Sequence, residues 1–315
     1  MRYLLLANCV LLFAQPARHP YVTSQPMPTP MLFGEGIIST PDYELNSTFT
    51  PDGQSVYFTK STPAMTFWTI VVSHYRSGRW SEPEVAPFSG QYSDADPFIA
   101  PDGSRLVFLS RRPLPGKSEP SPQPHLWYVD RTPQGWGAPV FAGDALAGNA
   151  GEYFPSIAAD GTLYFETIRP NGKGRNDVYR SKLVNGVYTE PENLGEPVNS
   201  PLNEGDAVIA PDQSFMILTI SGHPAGKGNS DLFITEQKDG VWSAPRPLGG
   251  QVNSNAIEFC PILSPDGRYL FFTSTRGFGW EPLTRPLHYD ELSSRLRGVL
   301  NGLGNIYQVD LAAVR

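Results

Sequence analysis

Thr50-Pro51-Asp52-Gly53 recurs along the chain with small changes. It returns as Ala100-Pro101-Asp102-Gly103, Ala158-Ala159-Asp160-Gly161, Ala210-Pro211-Asp212-Gln213 and Ser264-Pro265-Asp266-Gly267. The aspartates lie 50, 58, 52 and 54 residues apart. A period of this size marks repeated supersecondary units. Each passage is a turn. Proline presets the backbone, aspartate bonds back to it, and glycine accepts a positive φ.

An apolar residue precedes each turn: Phe49, Ile99, Ile157, Ile209 and Leu263. A β-rich run follows it: Val56-Tyr57-Phe58, Leu106-Val107-Phe108, Leu163-Tyr164-Phe165, Met216-Ile217-Leu218 and Leu270-Phe271-Phe272. Two such runs around a tight turn read as a hairpin. A third run comes after a polar loop, at Trp68 to Val72, His125 to Tyr128, Asp177 to Tyr179, Asp231 to Phe233 and Asn305 to Tyr307. A fourth begins at a glycine, as in Gly78-Arg79-Trp80-Ser81-Glu82-Pro83 and Gly240-Val241-Trp242-Ser243-Ala244-Pro245. Four strands in about fifty residues make a propeller blade. The fold class is therefore all-β, a five-bladed β-propeller of four-stranded blades.

The fourth strand follows only four of the five units, and the chain stops at Arg315 after the third strand of the last. Pro30-Met31-Leu32-Phe33-Gly34-Glu35 resembles Pro245-Arg246-Pro247-Leu248-Gly249-Gly250. The N-terminal strand is expected to complete the last blade. Such closure removes exposed strand edges. Tyr289 to Leu303 carries leucines at helical spacing, so a helical insertion packed on the ring is expected in the last blade.

Glycine and proline total 62 of 315 residues, which suits turns rather than long helices. Repeat rings grow by adding units, so residues 31–315 are read as one domain. Residues 1–17 read as a signal peptide: Arg2 precedes an apolar run from Tyr3 to Phe13, with Ala14 or Ala17 as the cleavage position. Residues 18–30 read as a proline-rich linker. The apolar run is too short to span a membrane, and a periplasmic or extracellular location is expected. Cleavage would remove Cys9 and leave Cys260, expected to be a buried, inert thiol. The net charge of −7, with no basic stripe, argues against a nucleic-acid partner. A monomer is expected.

The repeated turn, lying after an acidic residue and before an aromatic strand, resembles that of the TolB-like β-propeller family over residues 30–311. The resemblance implies bacterial export and binding of a protein or small ligand on one propeller face. It implies no chemistry, and it does not extend to the N-terminal α/β domain of the family's namesake.

Eight residues before each turn aspartate stands an acid: Glu44, Asp94, Glu152, Glu204 and Glu258. Arginines face three of them across the hairpin. Asp94 with Arg112, Glu152 with Arg169, and Glu258 with Arg276 are expected as structural rim pairs. Glu44 and Glu204 have no such arginine. They are candidate ligand-binding residues, with Lys173, Lys227 and His223 on the flanking loops. Both Gly-Lys-Gly loops, at 172–174 and 226–228, precede a strand rather than a helix, so neither is a phosphate cradle. Trp80, Trp136 and Trp242 recur once per blade and read as blade packing. No histidine has a zinc-ligand spacing and no Gly-x-Ser-x-Gly elbow occurs. No catalytic residue, resident metal or cofactor is assigned. The favoured function is an exported binding or scaffold module recognising a protein, small ligand or glycan. The alternatives are a glycan-active hydrolase or lyase with acids in the central pocket, and a structural protein dependent on calcium. The face opposite the Pro-Asp-Gly turns is expected to hold the site, because those turns are short and leave little room.

Overall fold

The computed structural model of the chain describes residues 19–23 and 25–315. The expected signal peptide, with Cys9, lies outside the described residues. Five antiparallel sheets follow one another as blades. From inner to third strand they run Tyr43–Phe49, Ser55–Ser61 and Trp68–Arg76 in blade 1, then Asp94–Ile99, Arg105–Ser110 and His125–Thr132 in blade 2. Blade 3 has Glu152–Ile157, Leu163–Thr167 and Asp177–Ser181. Blade 4 has Asn203–Ile209, Phe215–Ser221 and Ser230–Lys238. Blade 5 has Glu258–Leu263, Tyr269–Ser274 and Asn305–Asp310. Each inner strand packs on the next, and that of blade 5 packs back on that of blade 1, so the ring is closed.

The outer strand of blades 1, 2 and 4 is broken into two short pieces, as in Arg79–Trp80 and Glu84–Val85. The break falls at Pro83, Pro139 and Pro245, which have no N–H to give a ladder. In blade 5 the outer strand is Met31–Leu32, with Met31 opposite Gln308 and Leu32 opposite Tyr307. The expected closure is present. The proline-rich segment ahead of it is docked on the ring. Tyr21 is buried against Phe49, Tyr269 and Phe271. The Met27 N–H donates to Asp310 Oδ2 at 2.7 Å, and the Asp310 N–H returns a bond to Met27 O at 2.9 Å.

The turns work as their residues require. Asp102 Oδ1 accepts the Ser104 N–H at 2.9 Å and Asp212 Oδ1 accepts that of Ser214 at 3.0 Å. Such bonds favour the ionised form and hold Asp102 and Asp212 below the usual carboxylate range. Gln213 takes φ 60° in place of glycine. Its side chain is held by the Tyr164 hydroxyl at 2.7 Å and by Asp160 Oδ2 at 2.9 Å.

The helical insertion spans Tyr289–Arg297, shorter than the pattern from Tyr289 to Leu303 suggests. It ends before Gly298. None of its side chains is buried, so it rides on the ring rather than packing into it. Asn301 Nδ2 ties the insertion to Pro41 O at 2.8 Å. No helix among the described residues is long and apolar enough to cross a membrane.

Candidate active site at the ring centre

The five repeated acids are almost fully buried, and they brace the blades rather than line the axis. Four of them accept a backbone N–H from the residue four positions earlier. Thr40 bonds Glu44 at 3.0 Å, Ser200 bonds Glu204 at 3.2 Å and Ser254 bonds Glu258 at 2.8 Å, while Gly148 bonds Glu152. In blade 2 the Ser89 hydroxyl bonds Asp94 at 2.8 Å. Each acid therefore pins the loop that brings the chain from the previous blade.

Two of the expected rim pairs form. Arg112 Nη2 lies 3.0 Å from Asp94 Oδ1 and Arg276 Nη2 lies 3.2 Å from Glu258 Oε1. The third does not. Glu152 pairs with His125 Nδ1 at 2.9 Å, while Arg169 Nη2 donates to Leu146 O at 2.7 Å. His125, at the start of the third strand of blade 2, reaches Glu152 from the preceding blade, and Arg169 is left to cap a carbonyl. Glu44 is also paired, with Lys60 Nζ at 3.0 Å. Lys60 stands directly opposite Glu44 in the ladder, two positions before the column in which the arginines recur. Glu204 has no cation partner among the described residues and is satisfied by the Ser200 N–H and hydroxyl. A double-mutant cycle should give at least about 1 kcal/mol of coupling for Asp94 with Arg112 and for His125 with Glu152, and none for Glu152 with Arg169. Urea melts of the single and double alanine variants read this directly.

The flanking loops are braced from within. Asp177 accepts the Lys173 and Gly174 N–H groups at 2.6 and 3.0 Å, and Asp231 accepts those of Lys227 and Gly228 at 2.8 and 3.0 Å. The Lys173 ammonium reaches Glu196 at 3.5 Å. His223 packs on Phe233, with ring centres 4.6 Å apart. Lys173, Lys227 and His223 are thus loop residues, and the Lys173 loop packs on the chain that leads into Glu204, whose N–H donates to Asn176 O at 3.1 Å.

Two positions past each braced acid the inner strand bulges. Asn46, Asp96, Phe154, Asp206 and Cys260 all take positive φ, between 43° and 51°. An extra residue at the same place in each inner strand turns one side chain out of the ladder. These side chains gather where the five strands meet. Asp96 Oδ2 accepts the Phe154 N–H at 3.3 Å, and Asp206 Oδ2 accepts that of Cys260 at 3.2 Å and the Thr219 hydroxyl at 3.3 Å. Cys260 is buried, as expected, and sits on this central ring.

The remaining bulge N–H groups are capped from the second strand of the preceding blade. Thr59 Oγ1 receives Asp96 N–H at 3.2 Å and Thr273 Oγ1 receives Asn46 N–H at 3.2 Å. In blade 3 the same ladder position is Glu166, whose Oε2 receives the Asp206 N–H at 3.0 Å. Gly205 makes room for it, because a Cβ there would overlap the Glu166 carboxylate. The column reads Thr59, Leu109, Glu166, Thr219, Thr273. A threonine is enough for the scaffold, and the glutamate adds an acid.

Asp96, Asp206 and Glu166 thus share one low-dielectric space. Burial, then the charge of Asp206, pushes the Asp96 carboxyl up to about 7. Burial, then Asp206 and Asp96, raises Glu166 well above the usual range. Burial alone raises Asp206. Burial thus raises all three, and the Asp206 charge adds to the rise at Asp96 and Glu166. Asn46 lies beside Asp96, almost fully buried, and its amide opposes the rise of the Asp96 carboxyl. Among the described residues no three His, Cys, Asp or Glu side chains stand close enough to hold a metal ion.

The face of the Pro-Asp-Gly turns is not closed. Phe98, Ile157, Val208 and Ile262 line an axial cavity of about 130 Å³ there, ringed by turn prolines.

No protein-family model matches the chain, and no curated protein matches it. Among solved structures the chain is similar to an alpha-L-arabinofuranosidase from Lactobacillus brevis, at 12% identity, over 88% of this chain and 93% of that one, with a TM-score of 0.51. It is similar to a structure described as a glycoside hydrolase at 9% identity, over 90% and 91% of the two chains, with a TM-score of 0.54. At such identities the likeness is one of fold.

Proposed function

We propose that the chain is a glycan-active hydrolase whose reacting groups are Glu166, Asp206 and Asp96 at the ring centre. One observation carries this reading: Glu166 stands where three other blades place threonine, with its carboxylate on the Asp206 N–H at the ring centre. Glycoside hydrolysis needs two carboxyls in different environments, one protonated and one ionised. Glu166 supplies the proton to the leaving oxygen as the glycosidic bond breaks. Water adds its oxygen to the sugar carbon and gives its proton to Asp206. Asp96, held by the Phe154 N–H and beside the Asn46 amide, keeps a second proton close to the sugar and tunes the pair. The arabinofuranosidase and the glycoside hydrolase of similar fold support the same class. The apolar run at Tyr3 to Phe13 and the TolB-like turns support an exported site of action.

Release of reducing ends from a panel of plant and bacterial polysaccharides tests the proposal. Asp206→Asn should lower the rate by at least about 10²-fold on any substrate found. A wild-type protein that cleaves none of them counts against the reading. The raised Asp96 carboxyl gives a second check, on stability. A carboxyl with a raised folded pKa stabilises most below the ordinary value of 3.8, and that contribution is lost as pH rises through about 7. Each pKa unit corresponds to about 1.4 kcal/mol. Asp96→Asn should therefore melt roughly 5 °C above the parent at pH 8, and the gap should close by about pH 4. A gap of equal size at both pH values would remove the buried-acid argument.

A further inference from the structure

One step out from the acids stand Trp68, Arg111 and Tyr153. The Arg111 guanidinium lies over the Trp68 ring, 5.1 Å from its centre. Arg111 Nε and Trp68 Nε1 are both buried with no hydrogen-bond partner. Among the described residues Arg111 enters no ion pair, although seven other arginines do. A buried donor without a partner costs about 1–3 kcal/mol, so two side by side ask for an acceptor. The Tyr153 phenol links this group to the reacting acids. Burial raises its pKa most, the Arg111 charge opposes the rise, and Glu166, Glu152 and Asp96 add to it. Tyr153 stands directly opposite Glu166 in the blade 3 ladder, and Trp68 and Arg111 are tied together through Ser93, which takes the N–H of each.

We propose that Arg111 is a specificity residue which receives the carboxylate of a uronic acid, so that the substrate is an acidic glycan. The inference rests on the hydrolase reading of the central acids. Trp68, over which the guanidinium lies, and Tyr153 are aromatic side chains of the kind that sugar rings stack on. One guanidinium matches one carboxylate in charge, and its planar fork matches it in two-point geometry. A neutral sugar would leave the fork unmet. The site lies in a protein of net charge −7, so an isolated arginine here is a local departure from the overall field rather than part of a basic surface.

Binding by full-length Glu166→Gln protein, which lacks the proton donor, tests this by calorimetry. The probes are oligomers of galacturonate, glucuronate and mannuronate, each beside its carboxyl-reduced neutral counterpart, and a sulfated oligosaccharide. At least one uronate oligomer should bind about tenfold or more tightly than its reduced form. Arg111→Gln in the same background should erase that preference, with an unchanged melting curve. Arg111→Lys, which keeps the charge without the fork, should restore only part of it. Equal binding of every uronate and its reduced form overturns the proposal. So does tighter binding of the sulfated oligomer, or a preference that survives Arg111→Gln. A wild type that binds uronates but cleaves no glycan removes the hydrolase reading instead and leaves Arg111 as the anchor of a binding site. A wild type that cleaves neutral glycans equally well with and without Arg111 removes this inference and leaves the hydrolase.

Discussion

Glu166→Thr should abolish glycan cleavage, by about 10³-fold or more, while the protein melts at or above the parent temperature. Both halves follow from the ladder. Thr59 and Thr273 show that threonine caps the bulge N–H of the next blade at 3.2 Å, so the substitution returns blade 3 to the pattern its neighbours use. It also removes a carboxyl that burial and the Asp206 charge drive far from its ordinary range, and with it the cost of keeping that group in the interior. Loss of a positioned proton donor costs about 10²–10⁴-fold. Most buried polar substitutions lose stability and activity together, so a dead enzyme of undiminished stability is a distinctive outcome. Cleavage by Glu166→Thr at more than about a tenth of the parent rate would place the acid elsewhere. Glu166→Gln should be equally inactive and slightly less stable, since the larger amide must still fit over Gly205.

Removal of residues 1–33 should leave a protein that aggregates or melts far below the parent. The segment supplies more than the two pairs of Met31 and Leu32. Phe33 is buried against Phe49, Trp80 and Phe271, with ring centres 5.7, 5.8 and 5.0 Å away. Tyr21 and Met27 are buried on the same blade. Burying a large apolar side chain stabilises by about 1.5–3 kcal/mol, and three of them approach the whole margin of about 5–15 kcal/mol by which domains are folded. The deletion also bares the Asn305–Asp310 strand, an edge ready to pair with another chain. Phe33→Ala gives a graded version, with an expected loss of about 3–5 kcal/mol. A truncated protein that stays monodisperse and melts with the parent, by light scattering and calorimetry, would show that the ring does not depend on this closure.

The blades, their number and the closing strand were legible in the chain because each rests on local chemistry. The turn aspartates bond residues two positions on, the apolar runs are contiguous, and the orphan fourth strand is a matter of counting. Asp94 with Arg112 and Glu258 with Arg276 were legible for the same reason, since a hairpin fixes which side chains face each other. Glu152 was misassigned because His125 approaches from the third strand of the preceding blade, beyond the hairpin that relates Glu152 to Arg169. The central site was not legible in the chain. Asn46, Asp96, Phe154, Asp206 and Cys260 share a backbone conformation and a place but no chemistry, so they leave no repeated letter. Glu166 did leave a trace, as a glutamate in a column of threonines, but the column exists only once the ladder register is known. What joined Asp96, Glu166 and Asp206 is the meeting of blades 2, 3 and 4 at the axis, across sequence separations of 70 and 40 residues in that order. Local residue pattern determined the blade. Ring closure, which brings distant bulges together at the axis, decided which acids act on one another.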